Sequence, residues 1–195
     1  MKKIYIDCGG NLGQGYDQIT EKFSDVDFDQ VHIFEPNPET CKVLSKKEYK
    51  HDDVTIYQKA AYDKNVTKML TVEFDPTEGV QDWVGGATNI LEDNFVKPHY
   101  IADSYIRPND FQVDCIDFSK WLSDNFSADD FIVLKLDCEG CEYEILDKMI
   151  LEETIEYVDQ IIVEWHNHMR NDPVKPIGYY LEKFKQYDIG YTQWY

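Results

Sequence analysis

Two rhythms of apolar and polar residues alternate along the chain. Short, nearly uninterrupted apolar runs lie at residues 3–7, 31–35, 131–137 and 160–164, and Val54-Thr55-Ile56-Tyr57 begins another that is expected to end near Ala60-Ala61-Tyr62. Runs of this length without a regular polar face predict strands covered on both sides. Between them the period lengthens to that of a helix. Tyr16, Ile19 and Phe23 share a face near 14–23, and Cys41, Val43 and Leu44 lie on a helix expected near 38–48. Tyr143 to Leu151 continues the run at 131–137 as helix, and Ile177, Tyr180, Leu181 and Phe184 recur at helical spacing near 174–187. Gly190 to Trp194 reads as a last strand. This alternation implies a mostly parallel sheet with helices on both faces.

Residues 66–118 break the alternation. Met69, Val72 and Phe74 mark a short strand, Phe111, Val113 and Cys115 alternate with Gln112 and Asp114, and Gly79 to Asn109 is rich in turn residues and aromatics. We read this as a β-rich, substrate-side insertion within a single domain spanning residues 1–195. Insertions at the carboxyl ends of strands are where such folds build substrate sites.

The first run ends in Asp7 and turns at once through Gly9, Gly10 and Gly13. Glycines there let a ligand come close to the backbone, because no Cβ intervenes. A carboxylate at the strand end suits a ligand that donates hydrogen bonds or carries positive charge, as the ammonium of S-adenosylmethionine does; it does not suit a pyrophosphate. The dinucleotide fingerprint G-x-G-x-x-G fits in no frame, since its third position from Gly9 is Asn11 and its sixth from Gly13 is Gln18. An NAD-type oxidoreductase is thereby disfavoured. What fits is D-x-G-x-N-x-G, similar to the first motif of class I methyltransferases with Asn11 in place of the middle glycine. The second strand, Val31-His32-Ile33-Phe34, closes on Glu35-Pro36-Asn37-Pro38. In doubly wound sheets the acid closing strand two accepts hydrogen bonds from ribose hydroxyls, roughly 20 residues past the glycine turn. Glu35 stands in that place.

A length of 195 residues suits one domain with a single substantial core. The formal charge of -19, from 38 acidic against 19 basic residues, comes with no basic stripe. This argues against a nucleic-acid partner, because neutralising phosphates takes clustered Lys and Arg. No stretch nears the roughly 20 apolar residues of a membrane span. Met1-Lys2-Lys3 leads straight into strand one, leaving no room for a signal peptide. The five cysteines are an odd number without framework spacing, so the expected compartment is a reducing cytoplasm.

Acidic chemistry gathers at two strand ends. Lys135-Leu136-Asp137-Cys138-Glu139-Gly140-Cys141-Glu142 closes one, and Glu164-Trp165-His166-Asn167-His168 closes the other. Lys135 and Asp137 point to one face, because strand side chains alternate. Neighbouring strands would bring Asp137, Glu164 and His166 to a common mouth. Charged groups near a core are costly unless paired or used, and a structural ion pair of Lys135 with one of these acids is the alternative to a functional site. Cys138-x-x-Cys141 has no second C-x-x-C with which to hold zinc and sits inside a motif explained by its acids, so it is not read as a zinc or redox pair; Cys8 and Cys138 are read as small core fillers. His32, His51, His99 and His168 are read as ordinary polar residues.

With these segments in view, the chain resembles the FkbM family of S-adenosylmethionine-dependent methyltransferases. The resemblance runs in family order through Ile6 to Gly13, Phe34-Glu35-Pro36-Asn37, Lys59-Ala60-Ala61, Gly85 to Asn89, Lys135 to Glu142 and Val163-Glu164-Trp165-His166, with K-x-D-x-E-G-x-E the most specific segment. It implies a three-layer Rossmann-like class I methyltransferase fold: α/β, with a mostly parallel seven-stranded sheet and the β-rich insertion before strand four. It also implies O-methylation of a hydroxyl on a sugar, glycan or glycosylated small molecule. The chain starts directly at strand one, without the N-terminal helices that many class I enzymes add. A site so poor in lid is one that a homodimer would cover. A non-catalytic ligand-binding or partner subunit on the same fold is the competing reading, against which the intact acidic strand ends argue.

The expected cofactor contacts are Asp7, Gly9, Gly10, Asn11 and Gly13 at the methionine end, Glu35 with Asn37 at the ribose, and Ala61 with Asp63 near adenine. Thr88 and Asn89 are expected to approach the reacting end from the insertion. Trp83, Tyr100, Tyr105 and Trp165 would offer a stacking platform to a sugar ring. Transfer to oxygen needs in-line placement and removal of the hydroxyl proton. The candidate bases are Asp137 and His166, with Glu139 and Glu164 orienting substrate or base; imidazole has the better-matched ordinary pKa. Asp137 with Glu164, His166 or Asn167 would also offer an oxygen-rich site for Mg2+, which the resemblance does not demand.

Overall fold

The computed structural model describes residues 1–73, 88–97 and 106–194. Its strands in chain order are β1 (Lys3–Cys8), β2 (Gln30–Phe34), β3 (Val54–Tyr57), β4 (Ala60–Tyr62), β5 (Val66–Glu73), β6 (Ile106–Asp117), β7 (Phe131–Leu136), β8 (Gln160–Val163) and β9 (Gly190–Gln193). Six of them build one sheet in the order β3-β2-β1-β7-β8-β9, with every neighbouring pair parallel. Among the described residues the main sheet thus has six strands where seven were expected. The helices are α1 (Gln14–Lys22), α2 (Pro38–Leu44), α3 (Phe118–Asn125), α4 (Glu142–Leu151) and α5 (Ile177–Gln186). None is long and apolar enough to cross a membrane.

The apolar runs make two cores, one on each face of the sheet. Along β1, Ile4, Ile6 and Cys8 join Leu134, Leu136 and residues of α3, α4 and α5, whereas Tyr5 joins Val31, Ile33, Val133 and residues of α1 and α2. Ile4, Tyr5 and Ile6 are all wholly buried, and full burial of such a side chain contributes roughly 1.5–3 kcal/mol. A one-residue slip of β1 would exchange its faces and drive Asp7 into the apolar layer, so packing fixes the register. The chain winds from β1 outward through β2 and β3, and from β7 outward through β8 and β9. Strand order therefore reverses between β1 and β7, and a crevice opens beyond the carboxyl ends of that pair.

The third strand does not run on to Tyr62. It breaks at Gln58-Lys59, where Lys59 N donates to Tyr57 O (2.8 Å). Ala60–Tyr62 then forms β4 in a second, three-stranded sheet ordered β4-β6-β5. Burial explains the break: β3 is half-exposed along its length, whereas Ala60, Ala61 and Tyr62 are buried in the core they share with Leu70, Val72, Val113, Cys115 and Leu146. Helix α2 also ends earlier than expected, at Leu44. The Tyr49 hydroxyl donates to Leu44 O (2.9 Å), which satisfies a carbonyl that a longer helix would have used.

Candidate active site

The glycine turn is clamped between two strand ends. Gly9 N and Gly10 N both donate to Phe34 O at the end of β2 (3.0 Å each). Gly9 has φ +89°, and a Cβ there would lie 1.7 Å from Asp137 O, a backbone atom. Only glycine serves at such a position. Asn11 N donates to Glu35 Oε2 (2.8 Å) and Asn37 N donates to Glu35 Oε1 (2.7 Å). Glu35 is buried, and burial pushes its carboxyl up while the Asn37 and Asn11 amides pull it down. Asn37 serves as the N-cap of α2, with its side-chain oxygen accepting from Glu39 N (2.9 Å).

Two hollows adjoin over this turn. The first, of about 620 Å³, runs along Glu35 to a wall of Ala60, Ala61, Leu70 and Ile90, and Thr88 and Asn89 also line it. The second, of about 780 Å³, holds Gly10, Lys135, Glu164, His166, His168 and Trp194. Gly9, Asn11, Asp137 and Glu139 line both. The two hollows together form one cleft, polar at its middle and apolar at one end.

A buried cation lies under that middle. Lys135 Nζ reaches Asp137 Oδ2 (3.0 Å), Asp7 Oδ1 (3.1 Å) and Gly9 O (3.1 Å). Burial opposes its charge, but Asp137 and Asp7 more than offset that and raise its pKa. The ion pair weighed from sequence as the alternative to a functional site is therefore present, and Asp137 also lines the cleft. Asp7 departs from expectation. It is wholly buried, bound by Lys135 and by the Tyr5 hydroxyl (3.0 Å), and does not line either hollow.

His166 stands among four carboxylates. Its Nδ1 bonds Glu142 Oε1 (3.1 Å), and its Nε2 lies 3.3 Å from Glu139 Oε2, 3.6 Å from Glu164 Oε1 and 4.0 Å from Asp137 Oδ1. Burial works against the charged ring, but Glu142, Glu139 and Asp137 raise its pKa to about 10. Burial pushes the Glu139 carboxyl up, against the pull of His166. Glu139 holds φ +52° and Gly140 φ +108° in the turn that ends β7, so this carboxylate is presented from a backbone shape that non-glycine residues seldom adopt.

Sequence reasoning missed the residues that hold this turn. Glu142 is wholly buried and accepts from Cys138 N (2.7 Å) and Gly140 N (3.1 Å) while holding His166. Its signal was present as the last acid of the K-x-D-x-E-G-x-E segment. Arg170 ties the same turn to the segment after β8, bonding Gly140 O and pairing with Glu144 and Asp172; no local pattern marks it. Other expected site residues lie elsewhere. Gly13 caps α1, Asp63 stands near Lys64 (3.9 Å), and neither it nor Asn37 lines the cleft. Trp165 is core: its Nε1 donates to the Tyr191 hydroxyl (3.0 Å) and its ring packs on Tyr143 and Tyr180. Trp83, Tyr100 and Tyr105 lie outside the described residues.

A six-stranded doubly wound sheet with its cleft at the switch point, a glycine turn after β1 and an acid closing β2 define a Rossmann-like domain of the methyltransferase kind. The methyltransferase FkbM domain matches residues 7–187, and the chain belongs to that family. Membership supports a methyltransferase function. Among solved structures, the crystal structure of methyltransferase FkbM from Methylobacillus flagellatus KT is similar at 13% identity and a TM-score of 0.43, covering 80% of this chain and 30% of that one. The present chain thus spans under a third of that relative. No curated protein matches the sequence.

Proposed function

We propose that the chain is an S-adenosylmethionine-dependent O-methyltransferase acting on a hydroxyl of a sugar, glycan or glycosylated small molecule. The observation that carries this reading is Glu35, a buried carboxylate at the end of β2, facing an apolar-walled hollow beside the glycine turn. A carboxylate offers about four acceptor directions; the amides of Asn11 and Asn37 occupy two, and the Thr40 hydroxyl also bonds it. The remaining direction fits a ribose hydroxyl, and Ala60, Ala61, Leu70 and Ile90 fit a flat base. When bound, S-adenosylmethionine supplies a sulfonium methyl whose transfer breaks an S–C bond, forms an O–C bond and leaves the hydroxyl proton for the protein to take. Asp137 is the better of the two expected proton acceptors. It lines both hollows, where donor and acceptor would meet, whereas His166 lines only the second. Lys135 holds one Asp137 oxygen in place, and Glu139 and Glu164 orient the acceptor. The cleft is rich in carboxylates, which favours an uncharged or cationic acceptor over an anionic one. The compartment proposed is the reducing cytoplasm, on the strength of five free cysteines.

Calorimetric titration with S-adenosylmethionine, with NAD as the comparison ligand, tests the reading. Charge-assisted hydrogen bonds contribute about 1.5–3 kcal/mol, so Glu35→Gln should weaken S-adenosylmethionine binding roughly 10–100-fold. Transfer of a labelled methyl group to a glycan panel should be lost in Asp137→Asn with cofactor binding retained. Binding of NAD in place of S-adenosylmethionine would overturn the proposal.

A further inference from the structure

We infer that the junction of the two hollows is a divalent-cation site, with Asp137, Glu139 and His166 Nε2 as protein ligands and a hard ion of the Mg2+ or Mn2+ class as occupant. Each of the three residues brings one ligand atom within 4.8 Å of the others. His166 Nε2 lies 3.3 Å from Glu139 Oε2 and 4.0 Å from Asp137 Oδ1. Two ligands about 2.1 Å from an octahedral ion stand about 3.0 Å apart when adjacent and about 4.2 Å apart when opposite. Both observed spacings fall inside that span, so small side-chain rotations close the shell. The donor set of two carboxylates and an imidazole suits Mn2+ and accepts Mg2+.

Clustered acids alone would carry no such conclusion; the imidazole does. The His166 side chain is 6% exposed, and its Nδ1 is held by Glu142. Its Nε2 is aimed into three acids, 3.3 Å from Glu139 Oε2, 3.6 Å from Glu164 Oε1 and 4.0 Å from Asp137 Oδ1. Glu139 Oε2 is buried and without a hydrogen-bond partner. A buried polar atom left unsatisfied is costly, and a cation beside this oxygen removes that cost. A carboxylate on Nδ1 fixes the ring's orientation, and a divalent ion would displace the proton that the neighbouring acids hold on Nε2. Glu139 takes the ligand place that the sequence suggested for Glu164. With the ion bound, Asp137 Oδ1 is a ligand and its Oδ2 is held by Lys135, so the hydroxyl proton would pass to Glu164 at the rim, 33% exposed and 3.6 Å from Nε2, in place of Asp137.

The catalytic role of this ion rests on the methyl-transfer reading: it would bind the acceptor oxygen and acidify its hydroxyl. The existence of the site does not rest on it. Mn2+ alone, added to the ligand-free protein and followed by the electron paramagnetic resonance signal of the free ion, should show one saturable site per chain. Glu139→Gln and His166→Gln should each weaken it at least about 10-fold, and Glu21→Gln on exposed α1 should leave it unchanged. Circular dichroism checks folding, and if His166→Gln does not fold, Glu139→Gln decides. Absence of saturable binding, or binding equal in Glu139→Gln and wild type, overturns the site. S-adenosylmethionine binding measured separately in excess chelator keeps the two readings apart: Mn2+ binding without cofactor binding leaves the site and removes its role, and the converse removes the site alone.

Discussion

Replacing Lys135 by Met removes the ammonium that three acceptors share under the cleft. Lys135 is 1% exposed, and its ammonium lies 3.1 Å from Asp7 Oδ1 and 3.0 Å from Asp137 Oδ2. Asp137 lines the cleft and can turn to water, but Asp7 is 0% exposed, with the Tyr5 hydroxyl as its remaining partner among the described residues. Removing one member of a buried pair costs about 3–5 kcal/mol, because the other charge is stranded. Against a total stability of roughly 5–15 kcal/mol that is a large fraction. The loss should depend on pH. Burial already pushes the Asp7 carboxyl up against the pull of Lys135, and without the ammonium it rises further. A carboxyl whose folded pKa exceeds its unfolded value near 3.9 binds more protons in the folded state, so its stabilisation is full at low pH and is lost as pH rises through the folded pKa. The deficit of Lys135→Met should therefore be largest near pH 8 and smaller near pH 5. The double variant Asp7→Asn/Lys135→Met removes both charges and should recover most of the loss. Urea unfolding followed by circular dichroism on wild type, single and double variants measures all of this. A single variant within about 1 kcal/mol of wild type near pH 8, the range of an exposed pair, or a double variant no better than the single, would refute the reasoning.

Four further outcomes follow from the structure. Gly9→Ala should lose about 3 kcal/mol or more in a urea titration, since φ +89° and a Cβ 1.7 Å from Asp137 O combine strain with backbone overlap. Gly178→Ala in α5, where an added Cβ meets nothing within 4 Å, should instead gain about 0.5 kcal/mol. Burial lowers the His32 pKa from 6.5 to about 4. The unfolded chain then binds the proton first, so stability falls by about 3 kcal/mol as pH drops across that window; His32→Phe should flatten this part of the stability–pH curve, and an unchanged slope would count against it. Trp165→Phe should cost roughly 1–3 kcal/mol in thermal unfolding through lost packing and its bond to Tyr191. The acceptor KM should stay unchanged, and a raised KM at full stability would return the ring to the cleft.

The strand-by-strand course of the main sheet was legible because each buried run carries its own signal. Two-sided burial demands unbroken apolar residues, and the glycine turn and Glu35 follow their strands directly. The break after Tyr57 was not legible. Ala60-Ala61-Tyr62 is as apolar as a continuation of β3 would be, and only pairing with β6 decides between them. Trp165 shows the same limit. An aromatic between a candidate acid, Glu164, and a candidate base, His166, reads equally well as platform or core, and the rings of Tyr143 and Tyr180 settle it as core.

The sequence by itself determined the class of fold, the family and the two acidic strand ends, since these depend on local periodicity and on motifs read within a few residues. Tertiary structure alone decided which of those acids face the cleft. Asp7 and Lys135 meet across parallel strands although 128 residues separate them, and Glu142 grips His166 across a gap of 24. Electrostatic pairing acts through space at about 3 Å, whereas local patterns act along the chain, so one carboxylate became a buried counter-ion and another a wall of the site.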